Sequence, residues 1–225
     1  MAVKIFLVRH GQTLWNLESR YQGITNTPLT EEGKKQASCA AKYLSKVEFD
    51  SFYSSPIGRT VETAEIFKKI LKKDYVIKDD LKEMSFGAWE GLVFSDIISK
   101  HSTDFQNWIK DPFNNPPTKG ETFSEIIERG RKGIEEIIEE NNNEGNVLVV
   151  THGGFIVAML VYWLKMAADR WSSIIQSHGA INVVVMDKDH PFISTINFTG
   201  HLDKYYSGSS DKVIKNYVSL RNKKL

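Results

Sequence analysis

Two apolar runs in this chain end the same way. The first, "VKIFLVRHG" from Val3 to Gly11, passes from strand-forming residues straight into Arg9-His10-Gly11. The second, "NVLVVTHGG" from Asn146 to Gly154, ends in Thr151-His152-Gly153. Neither alternates apolar with polar residues, which is the pattern of a strand covered by helices on both faces, in the middle of a sheet. In open α/β sheets ligands bind beyond the carboxyl ends of the strands, where loops and helix N-termini converge. A repeated His-Gly at that end points to one site served by both strands, if the strands are neighbours. Glycine after each histidine lets the backbone turn sharply or approach a ligand closely.

Short β-rich runs alternate with helical patterns along the rest of the chain. Strands are expected near 3–8, 49–54, 75–78, 146–151, 181–187 and 193–198, the last two joined across "DKDHP" as a hairpin. This alternation predicts an α/β fold, a three-layer α/β/α sandwich around a mostly parallel sheet of about six strands. Thr30 before Glu31 and Glu32 marks a helix to about Ser45, and Ser55-Pro56, serine as cap and proline in the first helical position, marks another to about Leu71. "ETFSEIIERGRKGIEEIIEE" puts Phe123, Ile126, Ile127, Ile134, Ile137 and Ile138 on one helix face despite Gly130 and Gly133. "FIVAMLVYWL" from Phe155 to Leu164 has ten residues where a membrane span needs about 20, so it reads as a buried helix.

Residues 101–120 form the least regular stretch, rich in Pro and Asn but carrying Phe105, Trp108 and Phe113. Two readings stand, a substrate lid or aromatics that pin a surface excursion to the body. No repeat, low-complexity tract or linker divides the chain, so one domain over 1–225 is expected, with a lid insertion near 84–120.

The balance of 29 basic against 28 acidic residues leaves +1, so no whole-molecule field draws the protein to nucleic acid or an anionic membrane. Any anion must be held locally. The one cysteine, Cys39, cannot form an internal disulfide and reads as a small helix residue. The apolar run before Arg9 is too short for a signal-peptide core, and a reducing, cytoplasmic setting is expected.

Arginine is scarce, seven residues against 22 lysines, yet Arg9 adjoins His10 and Arg59 falls in the first turn of the helix expected after Ser55-Pro56. Helix N-termini favour anions and guanidinium forks bind phosphate oxygens in pairs, so two arginines and two histidines suggest a phosphoryl pocket. With no GxxxxGK[ST] and no GxGxxG, a small phosphate ester is a better candidate than a nucleotide. Taken singly, each residue has a plainer reading: a lone histidine as a structural residue, Arg59 as a surface ion pair, Glu83 of "LKEMSFGAWEG" as a solvated acid. Their ordered combination overrides those readings.

"LVRHGQTLWN", "YQGITNTPLTEEG", "YSSPIGRTVETA", "LKEMSFGAWEG", "GETF" and "VVTHGG", in this order over residues 3–155, resemble the histidine phosphatase superfamily, also called phosphoglycerate mutase-like. RHG alone would be a weak signal; the ordered set is strong. The late "NFTGHL" is similar to that family's final strand. The resemblance implies that His10 is the nucleophile, that Arg9, Arg59 and His152 bind the phosphoryl oxygens with help from Asn16, and that Glu83 is the general acid and then base. It also implies that Thr13, Gln22, Gly23 and Gly153 line the substrate pocket, and that no metal or other cofactor is needed. The expected partner is a small phosphorylated metabolite.

Gln12 stands where many members have glutamate, and Gly154-Phe155 where the glycolytic mutases have Asn-Ser. The leading expectation is a phosphomonoesterase working through a phosphohistidine. The alternatives are a phosphoglycerate mutase, a non-catalytic binder of phosphorylated ligands, and a metallohydrolase ligating through His10 and His152. The last lacks close ligand spacing of the HExxH kind. Oligomeric state is not legible.

Overall fold

The computed structural model describes residues 2–188 and 190–205; the expected domain end at 225 and the hairpin residue Asp189 lie outside them. The six strands are β1 Val3–Arg9, β2 Ser51–Ser54, β3 Val76–Ile77, β4 Gly145–Thr151, β5 Ile181–Asp187 and β6 His190–Phe198. They form one sheet in the order β3-β2-β4-β1-β5-β6. The ladders from β3 to β1 are parallel and those of β5 are antiparallel, β5 and β6 pairing as the expected hairpin. β1 and β4, the two runs without polar alternation, are the central pair.

Side chains of a strand alternate between faces, and each face here has its own helices. Val3, Ile5, Leu7, Val147 and Val149 pack with α6 (Phe123–Glu140) and α7 (Gly153–Trp163), while Phe6, Val8, Leu148 and Val150 pack with α2 (Glu31–Leu44) and α3 (Gly58–Leu71). This is the expected three-layer arrangement. On α2, Ala37, Ala40 and Ala41 are fully buried, and these small side chains let the helix lie close to the sheet. Thr30 caps α2 by accepting from the Gly33 amide, as the sequence suggests. Every residue of α7 from Phe155 to Val161 is buried, as the run of apolar residues requires.

Two local expectations are corrected. The helix after β2 starts at Gly58, with Ile57 as its cap, instead of at Pro56; the Ser55 hydroxyl accepts weakly from the Ile57 amide and turns the chain before the helix begins. Residues 101–120 are not irregular throughout, because α5 spans Ser102–Lys110 and follows α4, Phe94–Lys100. Phe105 and Trp108, one turn apart, are buried against Trp89 and Trp171, so core contacts stabilise a helix whose N-terminal residue His101 supplies no side-chain cap. The aromatics therefore anchor the segment. Gly130 and Gly133 of α6 are contact points: a Cβ on the first would lie 2.8 Å from Met159 Sδ, and on the second 2.7 Å from Asp80 Cβ.

Candidate active site

The sheet brings the two His-Gly pairs together by register. Arg9 of β1 pairs with Thr151 of β4 in parallel, and the next residue of each strand is a histidine. Their rings lie 5.3 Å apart between centroids, inclined at 64°. β2 adjoins β4 with Ser54 opposite Val150, which carries Ser55 and the first turn of α3, with Arg59, to the same edge.

His10 is buried, and its Nδ1 lies 2.7 Å from the Gly11 carbonyl. A carbonyl can only accept, so Nδ1 carries the proton and Nε2 the lone pair. Arg59 Nε donates to that Nε2 at 3.2 Å, which fits the same tautomer. Burial, reinforced by the charges of Arg59 and Arg9, holds the His10 pKa well below the ordinary imidazole value. The result is a neutral ring with one available lone pair aimed at a guanidinium.

Arg9 and Arg59 are pushed down to about 10, chiefly by burial, with Glu83 opposing the shift in both. Both remain cationic at neutral pH. Arg9 Nη1 donates to the Gln176 carbonyl, while its buried Nε has no hydrogen-bond partner. His152, fully buried and also held well below the usual range by burial and then by Arg59, has Nε2 2.8 Å from Ser55 Oγ and a buried, unpartnered Nδ1. With the serine hydroxyl donating to Nε2, Nδ1 bears an N–H. Two unpartnered donors buried beside a nucleophilic nitrogen suit an oxyanion, since an unmet buried donor costs about 1–3 kcal/mol.

The Glu83 carboxylate, 9% exposed, accepts from the amides of Gly154 at 3.1 Å and Phe155 at 3.0 Å, in the first turn of α7. A Cβ on Gly154 would stand 2.4 Å from Glu83 Oε1, so this glycine makes the room. Gly153 lies against Arg9, its Cβ position 3.1 Å from Nε. Thr13, Asn16 and Gln22 form their own network: Thr13 caps α1 (Leu14–Leu17) in a capping box with Asn16, and Thr13 Oγ1 donates to Gln22 Oε1 at 2.8 Å. Gly23 enters through its carbonyl, which accepts from Arg59 Nη2 at 2.6 Å.

Four further residues belong to the site's neighbourhood. His178 is buried with its ring 6.2 Å from that of His10. It forms a third His-Gly with Gly179, just before β5; because β5 runs antiparallel to β1, the start of one lies beside the end of the other. That pair was open to reading in the sequence. Ser55 orients His152. Arg129 of α6 donates to the carbonyls of Asp80, Lys82 and Glu83 and pairs with both oxygens of Glu121, and Glu90 accepts from the loop beside Arg59. Glu90 lies in the quoted "LKEMSFGAWEG" without being singled out there, and no local pattern reveals Arg129.

Residues 5–199 match the family model described as histidine phosphatase superfamily (branch 1). The chain belongs to this superfamily, as a phosphatase with the catalytic-histidine mechanism. It is 31% identical over 204 residues to phosphoserine phosphatase 1 of Hydrogenobacter thermophilus, covering 91% of this chain and 96% of that one. Bacillus stearothermophilus YhfR superposes with a TM-score of 0.83 at 28% identity, over 89% of this chain and 99% of that one. A mutant phosphoserine phosphatase from Entamoeba histolytica, in complex with phosphoserine, does so with a TM-score of 0.80 at 27% identity, over 89% and 99%.

Proposed function

We propose that this chain hydrolyses small phosphate monoesters in two steps, with His10 as nucleophile. His10 Nε2 forms the N–P bond as the ester P–O bond breaks, and Glu83 delivers a proton to the departing alkoxide. Water then attacks the phosphohistidine, Glu83 takes its proton, and the N–P bond breaks to release orthophosphate. Arg9, Arg59 and His152 counter the charge on the three equatorial oxygens. Arg59 Nε gives up His10 Nε2 for a phosphoryl oxygen as the ester enters, which frees the lone pair for attack. Thr13, Asn16, Gln22, Gly23 and Gly153 shape the wall.

The observation that carries this reading is the setting of His10: Nδ1 lies 2.7 Å from the Gly11 carbonyl, which leaves the lone pair on Nε2, and Nε2 faces Arg59 Nε. The same geometry disfavours a metal on His10 Nε2, because Arg59 directs an N–H and a positive charge at that nitrogen. A mutase would need fixed cations to hold a bisphosphorylated intermediate. Of the six cationic residues between Glu83 and His152, Arg129 is committed to carbonyls and Glu121, and Arg131 pairs with Glu128 and Glu135. Those commitments support the hydrolase. Phosphoserine heads the substrates to try, since relatives bear that name.

In the same reading the chain is one domain in a reducing cytoplasmic setting, and its 84–120 segment covers the leaving-group side, pinned by Phe105 and Trp108. Among the described residues no helix is long and apolar enough to cross a membrane.

The test is His10→Ala, assayed with p-nitrophenyl phosphate beside a thermal melt, with label from a radioactive ester trapped by denaturing quench. The wild type retains label; the folded variant retains none and loses at least about a thousandfold in turnover. A folded His10→Ala protein near wild-type activity would overturn the mechanism.

A further inference from the structure

Arg59 owes its orientation to a loop, and the loop owes its own to a residue that the two-step scheme does not use. Both Nη atoms of Arg59 are held by backbone carbonyls, Nη2 by Gly23 O at 2.6 Å and Nη1 by Thr25 O at 2.8 Å. The amides interleaved with those carbonyls point the other way. Ile24 N donates to Glu90 Oε1 at 3.1 Å, Thr25 N to Glu90 Oε2 at 3.0 Å, and Thr25 Oγ1 to the same oxygen. Glu90 Oε1 also accepts from Phe86 N at 3.0 Å, tying this loop to the segment that follows Glu83.

The peptide joining Gly23 to Ile24 thus has a carboxylate on its N–H and a guanidinium on its C=O. Hydrogen bonds in series polarise one another, and each is stronger with a charge at its end. Close approach is possible because residue 23 is glycine: its φ is +55°, and a Cβ there would fall 2.1 Å from Glu90 Oε1. The chain of contacts continues from Arg59 Nε to His10 Nε2.

We propose that Glu90 is a positioning residue for phosphoryl transfer: through the Gly23–Thr25 backbone it fixes the Arg59 guanidinium against the nucleophile and the incoming phosphoryl oxygens. It touches neither substrate nor His10. The carboxylate completes an anion–peptide–cation relay, and its charge also helps keep the buried Arg59 cationic. This rests on the phosphatase reading above, in which Arg59 binds phosphoryl oxygens.

The experiment is a double-mutant cycle of Glu90→Gln and Arg59→Ala, with single-turnover phosphorylation rates, the inhibition constant of inorganic phosphate, and a thermal melt for each protein. Glu90→Gln keeps the size but replaces one acceptor oxygen by a donor facing amides. The expected single-mutant result is a 10- to 100-fold lower phosphorylation rate and about 10-fold weaker phosphate inhibition in a folded protein. In the double mutant Glu90→Gln costs no more than twofold beyond Arg59→Ala, because the residue through which it acts is gone. Losses that multiply, or phosphate inhibition unchanged in folded Glu90→Gln, overturn the relay and leave the phosphatase reading standing. An Arg59→Ala protein with wild-type rate overturns the phosphatase site and the relay together. Thr25→Val, an exposed change that removes only the hydroxyl link, is run in the same cycle so that the result does not depend on Glu90→Gln folding. It is expected to lose three- to tenfold, again without effect once Arg59 is alanine; a multiplicative loss counts against the relay.

Discussion

At the scale of single residues, Glu83 is set by the first amides of α7, and the small size of Gly154 permits it. Its side chain accepts from the amides of Gly154, Phe155 and Met84, three N–H groups fixing its direction. Replacing Glu83 by glutamine removes the proton donor but keeps the shape. Esters with alkoxide leaving groups should then lose roughly 10²–10⁴ in phosphorylation rate, and p-nitrophenyl phosphate, whose leaving group departs unprotonated, less than about tenfold. Equal losses for both in single-turnover assays would remove the acid role. Gly154→Ala tests the placement instead. Its Cβ would overlap Glu83 Oε1, so kcat for alkyl esters should fall about 10- to 100-fold while phosphate inhibition stays within about threefold, because the cationic donors are untouched. Unchanged kcat would mean that the carboxylate relocates freely.

Among the elements, α6 does more than cover the sheet. Its Arg129 holds the carbonyls of Asp80, Lys82 and Glu83, and its Gly133 lets the Asp80 segment lie against the helix. Glycine inside a helix costs about 1 kcal/mol relative to alanine, so this sequence accepts a local penalty for a tertiary contact. Gly133→Ala should recover that amount and lose more, because the new Cβ meets Asp80 Cβ, an atom fixed by the backbone, and overpacking costs about 1–3 kcal/mol. The expected net change is a melting temperature lower by about 2–4 °C for a chain of this size. A rise would show that the Asp80 loop yields without cost.

Over the whole molecule, three histidines are enclosed in one place. His10, His152 and His178 are all buried and held well below the ordinary value, by burial first and by neighbouring arginines next. In the unfolded chain each titrates near 6.5. Below that pH the unfolded state binds protons that the native state refuses, so stability is full above about pH 6.5 and falls as the pH drops toward the depressed native values. Each histidine contributes a slope of up to about 1.4 kcal/mol per pH unit, and the three together up to about 4. Urea unfolding at pH 7.5, 6.5 and 5.5 should show the midpoint falling steeply across the last interval. A midpoint that does not move would mean that these rings are not neutral in the native state.

The sequence by itself determined the layers and most of the candidate site. Runs without polar alternation place β1 and β4 at the centre of the sheet, periodic apolar residues define α6, Thr30 starts α2, and His10, Arg59 and His152 stand out because strand ends and helix starts are marked by local chemistry, whereas Glu83 is singled out only by the family resemblance. Only the tertiary structure decided how those residues meet. The register of Arg9 against Thr151 sets the two rings side by side, and the antiparallel course of β5 carries His178 to them. Glu90 reaches the Ile24 amide across 66 positions and Arg129 the Asp80 carbonyl across 49. No period or cap in either segment announces such pairings, because they depend on packing between segments that are distant along the chain. The same reason hid α5: without a side-chain cap, it is stabilised by where Phe105 and Trp108 are buried, and burial is a property of the fold.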